Sequence, residues 1–133
     1  MTINETRPPV VKPRLTSAPR IRQMYWCDFP EDAHLPEFWK RRPVIVMSYR
    51  NTLSGAVTVI PCSSLSQTGN PWAVPLSISM TPGGSSWAIC DKPSTIAVSR
   101  LSADRMGIPR IPDADFNAAL SKLLEWLPIP KTV

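Results

Sequence analysis

The stretch RRPVIVMSYRNTLSGAVTVIPCSS, residues 41–64, decides the fold. Residues 43–48, PVIVMS, form a nearly continuous apolar run, which suits a strand buried on both faces. Pro43 stands at its first position, where a strand tolerates proline. Asn51 and the Ser54-Gly55 pair supply turn formers in the connection 49–55. Residues 56–60, AVTVI, form a second β-branched strand, ended by Pro61. Paired as an antiparallel hairpin, the start of the first strand lies beside the end of the second. Arg42 and Ser63 then share one end of a sheet. A guanidinium and a hydroxyl so placed suit chemistry on a phosphodiester, because arginine's fixed fork of donors matches phosphate and stays charged at any working pH. The competing role for Arg42 is a surface ion pair, and serines after a strand commonly form turns. Arg41 points to the opposite side in an extended segment, so the two arginines do not share a role.

Upstream, residues 21–29, IRQMYWCDF, form a first strand stopped by Pro30. A charged loop, residues 30–42, holds His34, Pro36, Glu37, Phe38 and Trp39. Downstream, residues 65–71 are polar loop. Residues 72–78, WAVPLSI, are an edge strand or two short pieces because of Pro75. Residues 81–85 form a turn, residues 86–90 and 95–98 are short strands, and residues 99–112 are a basic, irregular connection. Residues 113–127 are the one helix. Asp113 is the expected N-cap, and Asp115 suits the positive end of the helix dipole. Phe116, Ala119, Leu120, Leu123, Leu124 and Leu127 make one apolar stripe that covers the strands, and Pro128 ends the helix. Short strands followed by one helix predict a mainly β, β-rich α+β fold: a small, strongly bent sheet or barrel with a helix on it.

The chain of 133 residues is one domain with an extension. Hydrophobic residues make up 43%, enough for a core, but so small a domain keeps much of its surface in water and oligomerisation is expected. The net charge is +5, and most of it sits at the start, where Arg7, Lys12, Arg14, Arg20 and Arg22 face only Glu5. The remainder has ten basic and nine acidic residues, so any anion site is a local cluster and not a global field. Residues 1–20 carry Pro8, Pro9, Pro13 and Pro19 with few large apolar groups, and are expected to be a disordered, basic, proline-rich extension to a domain spanning 21–133. No apolar run reaches membrane-spanning length, and the first residues lack the apolar core of a secretory signal. Cys27, Cys62 and Cys90 are odd in number with no C-x-x-C spacing, so they read as reduced, buried side chains of a cytoplasmic protein.

Nucleotide-binding glycine loops, H-E-x-x-H and paired Cys/His clusters are all missing from the sequence. The single histidine, His34, excludes a two-histidine acid–base pair; it is either an exposed loop residue or part of a site. Asp91 is either a turn residue or a carboxylate at a strand end.

Taken in order, Tyr25-Trp26-Cys27-Asp28-Phe29, Arg42-Pro43-Val44-Ile45-Val46 and Val59-Ile60-Pro61-Cys62-Ser63-Ser64 resemble the MazF/PemK family of type II toxin–antitoxin ribonucleases. In that family an aromatic strand leads to an Arg-Pro-hydrophobic strand and then to one ending in P-x-[TS]-[TS]. The segment Ile89-Cys90-Asp91-Lys92-Pro93 and the final helix fill the family's later places, so the resemblance covers about residues 21–127. It implies an SH3-like barrel with a C-terminal helix, a homodimer, a cognate antitoxin, and metal-independent cleavage of single-stranded RNA without a cofactor. It assigns Arg42 to the scissile phosphate and Ser63 to a phosphate oxygen or the 2′-hydroxyl. His34, Glu37 and Asp91 match acid–base or orienting positions, and Ile89 stands where some members carry a further arginine. Bases of single-stranded RNA stack on exposed aromatics, which makes Trp39 and Trp72, with Phe38 and Ser64, candidate RNA contacts. Two rivals share the architecture: a CcdB-like gyrase poison, which needs no Arg/Ser pair, and a catalytically degenerate binding protein.

Overall fold

The computed structural model describes residues 6–131; residues 1–5 of the expected disordered extension, and residues 132–133, lie outside them. The elements are β1 (Met24–Asp28), β2 (Arg41–Val46), β3 (Ala56–Ser63), β4 (Ala73–Leu76), β5 (Ser86–Ile89), β6 (Ser94–Ala97), a 3₁₀ turn (Val98–Arg100), β7 (Leu101–Ser102) and α1 (Asp113–Trp126). The strands form one antiparallel system in the order β4-β5-β3-β2-β1-β7, with β6 also paired to β3. This is the β-rich α+β class expected, with β4 at an edge as Pro75 requires, and it is compatible with a small SH3-like barrel. Among the described residues no helix is long and apolar enough to cross a membrane.

Several boundaries differ from expectation, β7 lies inside the segment expected to be irregular, and three of the differences have a clear tertiary cause. β2 begins at Arg41, not Pro43, because Arg41 and Arg42 pair with Asp28 and Cys27 of β1. Pro43 is therefore inside the strand, opposite Trp26. β3 continues through Pro61 to Ser63. On one side of β3, the ladder with β6 ends at Val59 and the ladder with β5 begins at Cys62. Pro61 lies between them, where a missing N–H interrupts neither. Finally, Asp113 is not the N-cap of α1: Pro112 occupies that position without a side-chain cap, and Asp113 instead pairs with Arg22. Asp115 does serve the first turn, accepting hydrogen bonds from Ser77 N (2.8 Å) and Ser77 Oγ (2.7 Å).

Side-chain alternation splits the buried residues into two clusters. Met24, Ile45, Ile60 and Cys62 pack with Phe116, Ala119 and Leu123 of α1. Tyr25, Cys27, Val44, Val46, Val57 and Val59 pack with Ile96, Val98 and Leu101. The helix stripe is narrower than its sequence suggests, since Leu124 and Leu127 are 52% and 44% exposed. The second cluster is covered by Leu15 of the N-terminal segment and by Phe38 of the loop between β1 and β2. Residues 6–20 hold no helix or strand. Arg14 Nη2 nevertheless donates to Asp28 Oδ2 (2.8 Å) and to the Ser99 carbonyl (3.2 Å). Pro19 is buried, and its carbonyl accepts a hydrogen bond from Asn51 Nδ2 (3.0 Å).

Candidate active site

β2 and β3 are antiparallel neighbours, with Val44 opposite Pro61, Ile45 opposite Ile60 and Val46 opposite Val59. The ladder ends at Val44 and Pro61, and Arg42 and Ser63 each stand two residues beyond that end, on the face of Val44 and Val46 by strand alternation. Beyond Pro61, β3 turns to pair with β5, so Ser63 lies opposite Trp87. The sheet thus brings the two residues to one end, and the change of partner begins there. Arg41 takes the other face: its guanidinium lies 5.0 Å from the Trp26 ring centre. Arg42 lies 5.8 Å from Phe38 and 5.9 Å from Trp39.

Arg42 is half-buried, and its Nε donates to the Trp39 carbonyl (3.1 Å). That bond fixes the stem of the fork, while among the described residues no carboxylate lies within ion-pair distance of it. The positive charge is thus positioned and uncompensated, as an anion clamp requires. Ser63 is 7% exposed, and its Oγ accepts from Leu65 N (3.2 Å) and Gln67 Nε2 (3.4 Å). With both lone pairs engaged, the remaining capacity of this hydroxyl is to donate its proton. Ser64, next to it, is exposed.

The other candidates gather elsewhere. His34, Glu37 and Asp91 line one open groove of about 870 Å³, with Phe29, Phe38 and Trp126. Neither Arg42 nor Ser63 is among its lining residues. His34 N donates to Glu37 Oε1 (2.6 Å), and Glu37 N donates to the His34 carbonyl (2.8 Å), so this carboxylate closes its own loop. Asp91 Oδ2 pairs with Lys92 at 3.4 Å, while its Oδ1 is buried without a partner. Such an orphaned carboxylate oxygen favours any donor that reaches it. Trp39 is 42% exposed beneath Lys40, whose Nζ is 4.1 Å from the ring centre. Trp72 is half-buried and packs edge-on to Trp126, with ring centres 5.3 Å apart. Ile89 is 3% exposed in the core, so no cation occupies that place.

Sequence reasoning missed Trp126 and Gln67. Trp126 ends the helix stripe, where a large aromatic beside exposed leucines was a usable signal. Nothing local marks Gln67, because its role depends on the turn after β3.

The three thiols are not nucleophiles at neutral pH. Burial pushes Cys27, Cys62 and Cys90 each up to about 12, and a thiol must lose its proton to attack. Among the described residues no three or more His, Cys, Asp or Glu side chains are grouped to hold a metal ion.

Residues 21–127 match a family described as PemK-like, MazF-like toxin of type II toxin-antitoxin system. No curated protein sequence matches the chain. Among solved structures, MazF from Deinococcus radiodurans superposes with a TM-score of 0.64 at 21% identity, covering 81% of this chain and 94% of that one. A mycobacterial endoribonuclease in complex with its cognate antitoxin gives 0.62 at 19% identity, covering 85% and 100%. Mycobacterium tuberculosis toxin MazF-mt6 gives 0.54 at 22%, covering 77% and 92%.

Proposed function

The chain belongs to the PemK/MazF family of type II toxin–antitoxin toxins, and on that premise we propose that it is a metal-independent endoribonuclease that cleaves single-stranded RNA, mRNA included. The observation that carries this reading is the register of β2 and β3, which brings Arg42 and Ser63 to one end of the sheet. In the reaction, the ribose 2′-oxygen attacks the adjacent phosphorus and the bond to the 5′-oxygen breaks. The products are a 2′,3′-cyclic phosphate and a 5′-hydroxyl, with the proton passing from the 2′-oxygen to the leaving oxygen. This route needs orientation and neutralisation of charge on the pentacoordinate phosphorus. Arg42 supplies the neutralisation. Ser63 donates its hydroxyl proton to a phosphate oxygen or holds the 2′-hydroxyl.

His34, Glu37 and Asp91 share a groove suited to the ribose and base, whose lining residue Phe38 also lies 5.8 Å from the Arg42 guanidinium, and one of the three exchanges the proton or orients the substrate. Trp39, Ser64 and Trp72 hold flanking nucleotides. The protein acts in the cytoplasm as a homodimer silenced by a cognate antitoxin. Exposed Leu124, Trp126, Leu127 and Ile129 offer an apolar patch for a protein partner.

The test is incubation with a long single-stranded RNA in EDTA. Discrete cuts are expected from the wild type. Arg42→Ala is expected to slow them by about 10²–10³-fold, the cost of losing one charge-stabilising donor. Ser63→Ala is expected to slow them roughly ten- to a hundredfold, the worth of one hydrogen bond to a charged phosphate. Cuts of equal rate in both variants sink the site assignment. The second reading, a degenerate family member that binds without cutting, rests on the buried Ile89, and its mark is RNA retained intact by the wild type.

A further inference from the structure

The N-terminal segment lies outside the stretch that matches the family, and it is fixed to the sheet at two points. Pro19 is held by Asn51, in the connection between β2 and β3. Arg14 is held by Asp28 and Ser99. The pairing of Met24 with Ile45, and of Asp28 with Arg41, puts these two points at opposite ends of β1. Five residue steps reach at most about 17 Å, and the segment spans these points with bends at Arg14, Thr16 and Ser17. Leu15 is pinned against the cluster under this path. Residues 14–19 are therefore a strap that runs the length of β1 and delivers what precedes it to the end where β2 begins, the end of Arg42.

That end is rich in unneutralised cations and aromatic faces. A cavity of about 640 Å³ is lined by Asp28, Phe29, Glu31, Trp39, Lys40, Arg41 and Arg100. Lys40 lies over Trp39 and Arg41 over Trp26. Among the described residues Lys40, Arg41 and Arg100 form no ion pair. Arg100 Nη1 is spent on the Asp28 carbonyl (3.1 Å). Of the two acids that line it, Asp28 is neutralised by Arg14 of the strap, while Glu31 forms no ion pair among the described residues, against three lining cations. Residues 6–12, with Arg7 and Lys12, precede this anchor and are exposed.

We propose that residues 6–14 are a moored basic arm that, with Trp39, Lys40 and Arg41, binds the single-stranded RNA flanking the cleavage position. The strap fixes where the arm starts, Arg14 offsets Asp28, and the cations and the half-exposed indole meet phosphates and a base face. Cation-rich tracks with interleaved aromatics are how proteins hold single strands without reading sequence. This proposal rests on the ribonuclease reading, and it concerns affinity outside the reacting nucleotides.

The experiment uses a fluorescent 20-nucleotide RNA carrying 2′-O-methyl groups throughout, which removes the attacking hydroxyl and leaves binding measurable. Anisotropy titrations across KCl concentrations compare the full chain with Arg7→Gln/Lys12→Gln and with a chain lacking residues 2–13. Each phosphate contact on a single strand contributes about 0.7 to the slope of log K against log salt. Loss of Arg7 and Lys12 is therefore expected to lower that slope by about 1.4 and to weaken binding roughly ten- to thirtyfold at low salt. Lys122→Gln, a surface charge on α1, is expected to change neither. An unchanged slope in the double variant overturns the arm, whether or not the truncated chain folds. An equal loss with Lys122→Gln, or an equal loss of binding to polyglutamate, overturns it too, because net charge alone then explains the effect. Full-chain binding that depends on the arm, with no cleavage of ordinary RNA, supports the arm and defeats the ribonuclease reading; cleavage with an arm-independent slope does the reverse.

Discussion

The two faces of the sheet are built by the same strands and closed in different ways. Ile45 and Ile60 point to the face sealed by Phe116, Ala119 and Leu123 of α1. Val44, Val46 and Val59 point to a face that packs with Ile96, Val98 and Leu101 and takes its outer cover from two side chains of irregular segments, Leu15 and Phe38. A helix presents several side chains on one rigid element. A strap and a loop present one each, and each must be ordered at its own entropic cost. The catalytic proposal sits on the second face: Arg42 shares it with Val44, and its guanidinium stacks on Phe38. The helix side thus has the more rigid outer cover, and the proposed chemistry lies on the side whose outer cover comes from irregular segments.

The harshest way to break this comparison is to remove a side chain from the helix seal. Phe116 is 8% exposed, and Arg22 lies 5.7 Å from its ring centre. Phe116→Ala is expected to destabilise by about 3–5 kcal/mol, the cost of a core aromatic truncated to a cavity. Urea denaturation followed by Trp fluorescence measures it. A loss no greater than that of a strap variant erases the claimed asymmetry.

A strap variant is the milder break. Leu15 is only partly buried, so Leu15→Ala is expected to lose about 1–2 kcal/mol by area alone. Its sharper effect is on function. With Leu15 gone, Arg14 keeps its ion pair only by ordering a segment anchored no closer than Pro19, and exposed pairs contribute little by themselves. RNA affinity is therefore expected to fall several-fold in Leu15→Ala and to hold in Phe116→Ala below its unfolding transition. Anisotropy on the two variants separates the faces, and a reversed order of affinities contradicts the division of labour.

These differences set how far the sequence could be read. The hairpin of residues 41–64 was legible because hydrophobic alternation and turn residues fix register locally. So was the opposed placement of Arg41 and Arg42, which follows from pleating alone. Pro61 misled, because whether a proline breaks a strand depends on which partner lies beside it, and β3 changes partner at that point. Asp113 misled because a long-range ion pair to Arg22 displaced a local cap. The grouping of His34, Glu37 and Asp91 in one groove, apart from Arg42 and Ser63, came from tertiary packing that no spacing encodes. Leu15 gave no signal either: one leucine in a proline-rich basic run shows no period.

The finest test of the comparison uses the cysteines, which divide between the faces: Cys27 on the strap side, Cys62 and Cys90 on the helix side. Burial raises each thiol from about 9 to about 12. Because the folded values lie above the unfolded ones, the contribution to stability is whole below about pH 9 and is lost as pH rises through 12. Denaturation midpoints are expected to hold from pH 7 to 8.5 and to drop above 9. At pH 8 all three thiols should resist iodoacetamide in the wild type, since labelling requires both an opening and a thiolate. Leu15→Ala removes cover from one face only, so Cys27 should label faster while Cys62 and Cys90 do not, as peptide mass mapping would show. Equal acceleration at all three means that the faces open together and that the strap is part of a single cooperative core. Selective labelling of Cys27 means that its face opens on its own, independently of the helix side.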